Sequence, residues 1–249
     1  MKVAIAAFAA AAMVAAGCSS SSGSSSDIVV LAASSLVDVF EGGDLGTVSL
    51  NSDDTTAEVR FSYSGSNALV AQLRDGAHAD VLITASRSTM DVATANGSVA
   101  GRPVLLARNQ LVLATPLTNP AGISSLDDLA DSSKVIGLCA PQVPCGALAE
   151  TALEALGVVA EPDTLEPNVR ALANKISIGE IDAGLIYRTD AMALNLSTVP
   201  VVGLGRFTTD YLAATISSRP EPTVAALFAE LTAEGPLTDR LTGRGFEMP

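Results

Sequence analysis

The sequence predicts an α/β fold in which two mostly parallel sheets are each flanked by helices. Three observations carry that prediction. Short apolar runs alternate with helix-period segments along the chain, the order that builds parallel sheets covered by helices. Gly76, Gly97, Gly157 and Gly179 stand where helical segments run out, as helix stops do. The alternation also comes in two blocks, which suits two sheets better than one. The chain is expected to cross between lobes near residues 104–112 and to return near 200–212. That assigns 27–106 plus 208–249 to the first lobe and 107–207 to the second.

In chain order, Ile28 to Ala33 is a short apolar run and reads as a buried strand. A helix is expected from Leu36 to Phe40. Glu58 to Tyr63 alternates polar and apolar, the signature of a strand. Ser66 to Asp75 reads as a helix with Leu69, Val70 and Leu73 on one face. Asp80 to Thr84 is the next strand and Ser86 to Ala95 the next helix. The second block opens with a strand at Leu111 to Ala114. Ser125 precedes a short helix, Leu126 to Ala130, with Asp127 and Asp128 in its positive first turn. Val135 to Cys139 is a strand, and Gly146 to Leu156 a helix. Asn168 caps a helix from Val169 to Ile178, whose stripe is Val169, Leu172 and Ile176. Strands at Ala183 to Tyr187 and Tyr211 to Ser217, then a helix from Thr223 to Thr232, complete the pattern.

With 249 residues the chain fits one large domain or two modest lobes. Its formal charge of -13 disfavours nucleic acid as a partner, which would want clustered Lys and Arg. Trp is absent and aromatics make up 4%, which disfavours a sugar ligand stacked on aromatic rings. The N-terminus reads as a targeting segment over residues 1–17. Lys2 supplies positive charge, and an Ala-rich apolar stretch from Val3 to Ala16 is too short to span a bilayer. Ala15-Ala16-Gly17-Cys18 has the small residues of a lipoprotein cleavage box, with Ala15 at the position where Leu is usual. Cys18 is therefore the expected lipidation site, and the Ser-rich run 18–26 the tether of a lipid-anchored protein on the outer face of the cell membrane. An exported protein meets an oxidising compartment, so Cys139 and Cys145 are expected to form a disulfide. Metal binding is the rival for that pair, and His78, the sole His, gives it little support.

No nucleophile–base pair, phosphate loop or dinucleotide turn stands out, so no catalysis is signalled and no cofactor is expected. What recurs is a polar residue at the start of a helix. Ser34 and Ser35 follow the first strand, Ser64-Gly65-Ser66-Asn67 another, Pro144-Cys145-Gly146 opens a third helix, and Asn168-Val169-Arg170 a fourth. Helix starts offer unpaired N–H groups and the positive end of a dipole, the usual means of anion capture. Taken singly, each of these residues reads as an ordinary cap. Arg60, Arg170 and Arg188 read as surface or supporting ion pairs.

The same residues carry a family resemblance. Ala32-Ala33-Ser34-Ser35-Leu36 resembles the first signature of periplasmic molybdate-binding proteins, and Phe61-Ser62-Tyr63-Ser64-Gly65-Ser66 the second. Gly76-Ala77-His78-Ala79-Asp80 through Ala85 is similar to a third, with His78 where Pro is common. Val143-Pro144-Cys145-Gly146 resembles the family's Val-Pro-Ala-Gly loop. Asn168 to Leu172, Ala183 to Ala191 and Gly243 to Phe246 resemble its closing motifs. The resemblance implies a two-lobed periplasmic-binding-protein-like fold of type II, with a hinged cleft that closes on molybdate or tungstate. It implies a ligand shell of Ser35 and Ser66 hydroxyls, the Cys145 and Val169 amides and the Tyr187 hydroxyl, with Ser34 as an extra contact. Molybdenum would be held only through its oxygens. The implied role is extracytoplasmic capture and delivery to an ABC transporter permease by a monomer; another oxyanion, such as sulfate, thiosulfate or phosphate, is the alternative. The stretch Gly42 to Thr56 departs from the family and is expected to be a surface excursion.

Overall fold

The computed structural model describes residues 27–41, 47–49, 56–217 and 220–249. The signal segment, Cys18 and the serine tether lie outside the described residues, as does most of the Gly42–Thr56 excursion.

The first lobe begins with β1 (Ile28–Ala33), which pairs in parallel with β3 (Thr56–Ser64) on one side and β4 (Val81–Thr84) on the other. A short β2 (Thr47–Ser49) adds an antiparallel edge to β3. All four residues of β4 are buried, because helices cover both faces of a parallel sheet and leave no polar side to the strand. Those covers include α2 (Ser66–Arg74) and α3 (Arg87–Ala95), which bury Leu69, Val70, Met90 and Ala93. A 3-10 turn at Ser34–Leu36 and α1 (Val37–Phe40) follow β1 directly.

The long β5 (Val104–Thr115) joins the lobes. Up to Gln110 it pairs antiparallel with β10 (Thr208–Thr215), which itself lies antiparallel to β4. From Leu111 to Ala114 it pairs antiparallel with β8 (Ala183–Tyr187). The boundary read from sequence at 106/107 thus falls inside the β5–β10 ladder, and the handover lies between Gln110 and Leu111. Sequence reading began this strand at Leu111 because Arg108, Asn109 and Gln110 interrupt its apolar run. Backbone pairing with β10 carries the strand through them.

The second lobe extends from β8 to β6 (Ile136–Cys139) and β7 (Thr164–Glu166), all parallel, with β9 (Ser197–Val199) on β5. The first lobe is therefore parallel through β3, β1 and β4, with β2 as an antiparallel edge, and the second through β8, β6 and β7, while the strands running out to the second lobe and back are antiparallel, as opposite directions of travel require. Two helices cover this lobe: α4 (Pro144–Leu156), ended by Gly157 in the left-handed conformation (φ 72°), and α5 (Val169–Ser177). The stripe Val169, Leu172, Ala173 and Ile176 of α5 is buried, each large side chain contributing about 1.5–3 kcal/mol. The short α6 (Arg188–Ala193) follows β8 without a loop.

The chain ends on the first lobe with α7 (Pro222–Thr232) and α8 (Pro236–Gly243). Its tail reaches back toward the second lobe at Arg188, which donates to the Gly245 carbonyl, while Phe246 packs edge-on against Tyr211 of β10 at 5.1 Å. Sequence reading missed β7, β9, α6 and α8. The two strands have three residues each and the two helices six and eight, too short to establish a period.

Candidate functional site

Four strands end and four helical turns begin around one cavity. β1 delivers Ser34 and Ser35, β3 leads through Ser64 and Gly65 to Ser66, β6 precedes Val143, Pro144 and Cys145, and β7 precedes Asn168 and Val169. All of these residues line it, with Tyr187 from the end of β8. The six residues singled out in sequence (Ser34, Ser35, Ser66, Cys145, Val169 and Tyr187) are thus brought together from both lobes. The cavity is small, with a volume of about 10 Å³. That suits a compact ion far better than a sugar or peptide.

The local chemistry is a set of donors. First-turn N–H groups have no carbonyl to bond within their own helix. Neither the 3-10 turn at Ser34 nor α2 nor α4 has a side-chain cap, so no capping side chain competes for these groups. At α5, Asn168 caps the amide of Ala171 and leaves that of Val169 uncapped. The α4 turn is held in place twice. Cys139 and Cys145 form a disulfide between the end of β6 and the helix start, with Cα atoms 5.8 Å apart. A Cβ on Gly146 would lie 2.0 Å from the Ala140 carbonyl oxygen, so only glycine lets the helix start sit so close to the loop.

The hydroxyls are fixed by their surroundings. Ser66 is buried, and its Oγ accepts from the Ala85 amide at 3.0 Å. Ser35 is buried with its Oγ 2.6 Å from the Tyr211 hydroxyl. The Tyr187 hydroxyl is buried without a well-formed hydrogen bond; Thr209 offers it at most a poor one. Burial, with Tyr211 and Asp190 adding to it, holds the Tyr187 phenol well above its ordinary pKa, so it remains a neutral donor at any physiological pH.

Among the described residues no charged side chain lines the cavity. Charge sits one layer behind. Arg170, next to Val169, reaches across to Asp38 of α1 through two contacts of 2.8 Å. It lies 3.8 Å from Asp190 of α6, a fully buried carboxyl whose pKa is raised to about 7, chiefly by desolvation. Arg60 pairs with Asp27 and Glu58, and Arg188 with Glu247, so the three arginines near the motifs serve as ion-pair partners. No cluster of His, Cys, Asp and Glu suited to a metal ion exists among the described residues.

Sequence reasoning missed the supporting layer: Ala85, Asn109 and Tyr211 behind the serines, and Asp38 facing Arg170. A Tyr or Asn inside an apolar strand reads as core, and no local spacing joins positions this far apart in sequence.

A two-lobed α/β scaffold whose cleft presents neutral donors to a small anion defines a solute-binding protein. The chain belongs to the bacterial extracellular solute-binding proteins, whose family profile matches residues 22–247. It is 31% identical over 193 residues to the molybdate-binding protein ModA of Mycobacterium tuberculosis, covering 77% of this chain and 74% of that one. Its fold is similar to the periplasmic molybdate-binding protein of Azotobacter vinelandii, with TM-score 0.69, 17% identity and coverage of 90% of this chain and 100% of that one. The sulfate-binding protein SubI of Mycobacterium tuberculosis shares the fold at TM-score 0.62 and 14% identity, over 88% and 86% of the two chains.

Proposed function

We propose that this protein captures molybdate, or tungstate in its place, outside the cytoplasm and delivers it to the permease of an ABC transporter. The observation that carries this reading is the cavity itself: Ser35, Ser66, Cys145, Val169 and Tyr187 meet from both lobes, with no charged side chain in the lining among the described residues. A tetrahedral dianion offers only acceptors. Neutral hydroxyls and amides satisfy it, each charge-assisted bond contributing roughly 1.5–3 kcal/mol. Ser34 lines the same cavity and serves as an extra contact. The protein's formal charge of -13 means that long-range attraction does not gather the ligand; recognition is local.

The role is binding rather than catalysis, and a ligand that closes both lobes presents the permease with a distinct shape to read. Cys18 anchors the protein by its lipid, the serine tether gives it reach, and it acts as a monomer. The 31% identity to a molybdate-binding relative supports molybdate over sulfate, while the likeness to a sulfate-binding protein rests on fold alone.

Thermal unfolding with a panel of molybdate, tungstate, sulfate and hydrogen phosphate tests this. Ligand at a hundredfold excess over its Kd adds about 2.7 kcal/mol, a Tm gain of roughly 5–10 °C for a chain of this size. A gain with molybdate and tungstate but not with the other two is expected. A larger gain with sulfate would transfer the assignment to sulfate, and no gain with any of the four would end it.

A further inference from the structure

A row of buried polar groups runs behind Ser35, and its polarity can be read from one end. The Gln110 backbone N–H donates to Asn109 Oδ1 at 3.0 Å. An amide N–H only donates, so that atom of Asn109 is its oxygen, and the side-chain nitrogen is turned the other way. This nitrogen donates to Thr189 Oγ1 at 2.7 Å and, more weakly, to the Tyr211 hydroxyl at 3.4 Å. Asn109 and Tyr211 are both fully buried, so water does not reset the pattern. With a donor at its back, the Tyr211 hydroxyl turns its proton to Ser35 Oγ, 2.6 Å away. A phenol is also the stronger acid of the two hydroxyls and hence the better donor. Ser35 then spends a lone pair on Tyr211, and its own proton is left to point at the cavity.

Ser66 is set in the same way by another device, since its Oγ accepts the Ala85 N–H. Of the four serines that line the cavity, Ser35 and Ser66 are therefore backed by donors. The Tyr211 ring is held for this task by edge contacts to Tyr187 and Phe246, with centroids 6.3 Å and 5.1 Å away.

We infer that Tyr211, oriented by Asn109, is a positioning residue that fixes the Ser35 hydroxyl as a donor toward the ligand and so selects against anions bearing a hydroxyl of their own. The inference rests on the oxyanion-binding reading above. Hydrogen phosphate and hydrogen arsenate carry a proton that needs an acceptor. With Ser35 accepting from Tyr211 and Ser66 from Ala85, these two hydroxyls turn their protons to the ligand, and a ligand hydroxyl facing them meets a donor where it needs an acceptor, which costs affinity. Freed from Tyr211, Ser35 rotates and can present a lone pair instead.

The test is calorimetric titration of the purified protein at pH 7.5 with molybdate, and with hydrogen arsenate as the hydroxyl-bearing probe. Tyr211→Phe keeps the ring and removes the relay. It is expected to weaken molybdate about tenfold, the scale of one hydrogen bond, while arsenate loses less, so that the molybdate-to-arsenate ratio narrows. In a Ser35→Ala background the same change is expected to have no further effect, because Tyr211 acts through Ser35. Asn109→Leu provides a second variant that leaves Tyr211 in place, with the same predicted loss of selectivity and the same dependence on Ser35. Losses that add in the double variants, or a selectivity ratio that stays at the wild-type value, overturn the relay. Failure of the wild-type protein to bind any tetrahedral oxyanion overturns the functional reading and the relay together, so the two failures are told apart by the wild-type titration alone.

Discussion

Gly65, at the start of α2 in the first lobe, packs so closely on Pro167 of the second that a Cβ would sit 2.6 Å from the Pro167 carbonyl oxygen and 3.3 Å from a methyl of Val143. The backbone of Gly65 is unexceptional (φ -62°, ψ 136°). What requires glycine there is the approach of the lobes, not the turn. Gly65→Ala is therefore expected to fold normally and to resist closure. Overpacking of this size costs about 1–3 kcal/mol, which raises the Kd for molybdate roughly five- to a hundredfold. Calorimetry reads the affinity and small-angle scattering the closure. Wild-type affinity in this variant would mean that the ligand is held without the lobes meeting.

The Asp38–Arg170 pair bridges the same cleft beside the cavity. Its side chains are 27% and 20% exposed, so solvent screens part of the attraction and about 1 kcal/mol is a fair expectation. Asp38→Asn should then weaken molybdate about fivefold and make affinity less sensitive to salt, while the unliganded Tm barely moves. A large fall in the unliganded Tm, with binding intact, would assign the pair to fold stability instead of closure.

The Cys139–Cys145 bond closes a short loop, with a sequence separation of six. In the chain-entropy account that is worth about 2 kcal/mol, or roughly 4–8 °C of Tm at this chain length. Cys145 also lines the cavity, so on the proposed reading the bond holds a donor as well as a loop. The double variant Cys139→Ala/Cys145→Ala is expected to lose Tm in that range and also to bind molybdate more weakly. Calorimetry beside thermal unfolding separates the effects: loss of Tm with unchanged Kd would show that Gly146 packing alone positions the amide.

How far the sequence carried depended on whether the signal was local. The β1 bounds, the short helix after Ser125 and the Asn168 cap are all contained within a few residues, and all appear as expected. The cavity-lining residues were legible for the same reason, since each belongs to a short strand–turn–helix motif. Tyr211 and Asn109 were not. They are 176 and 74 residues from Ser35, and only the β10–β5 ladder places them side by side. Gly65 was visible as a residue of a turn, but its contact with Pro167 exists only once the lobes face each other.

Asp190 gives the protein a pH dependence with a definite sign. Its carboxyl is fully buried, and among the described residues no other residue donates a hydrogen bond to either oxygen, with Arg170 3.8 Å from Oδ1. Desolvation raises its pKa from 3.8 to about 7, opposed by Arg170 and assisted by Asp38; Tyr187 and Tyr211 stand close by and stay neutral. Between about pH 4 and pH 7 the folded protein therefore holds a proton that the unfolded chain has released. Stability arising from this group is greatest near pH 4, falls as the pH rises through that window, and levels off above it. Asp190→Asn removes the titration while keeping the shape. Its Tm relative to wild type is expected to be unchanged or lower near pH 4 and to climb to a clear excess by pH 8, with the difference between the two proteins tracing the titration. A variant less stable than wild type by a constant amount across the range would show that the carboxylate's attraction to Arg170 outweighs the cost of burying it.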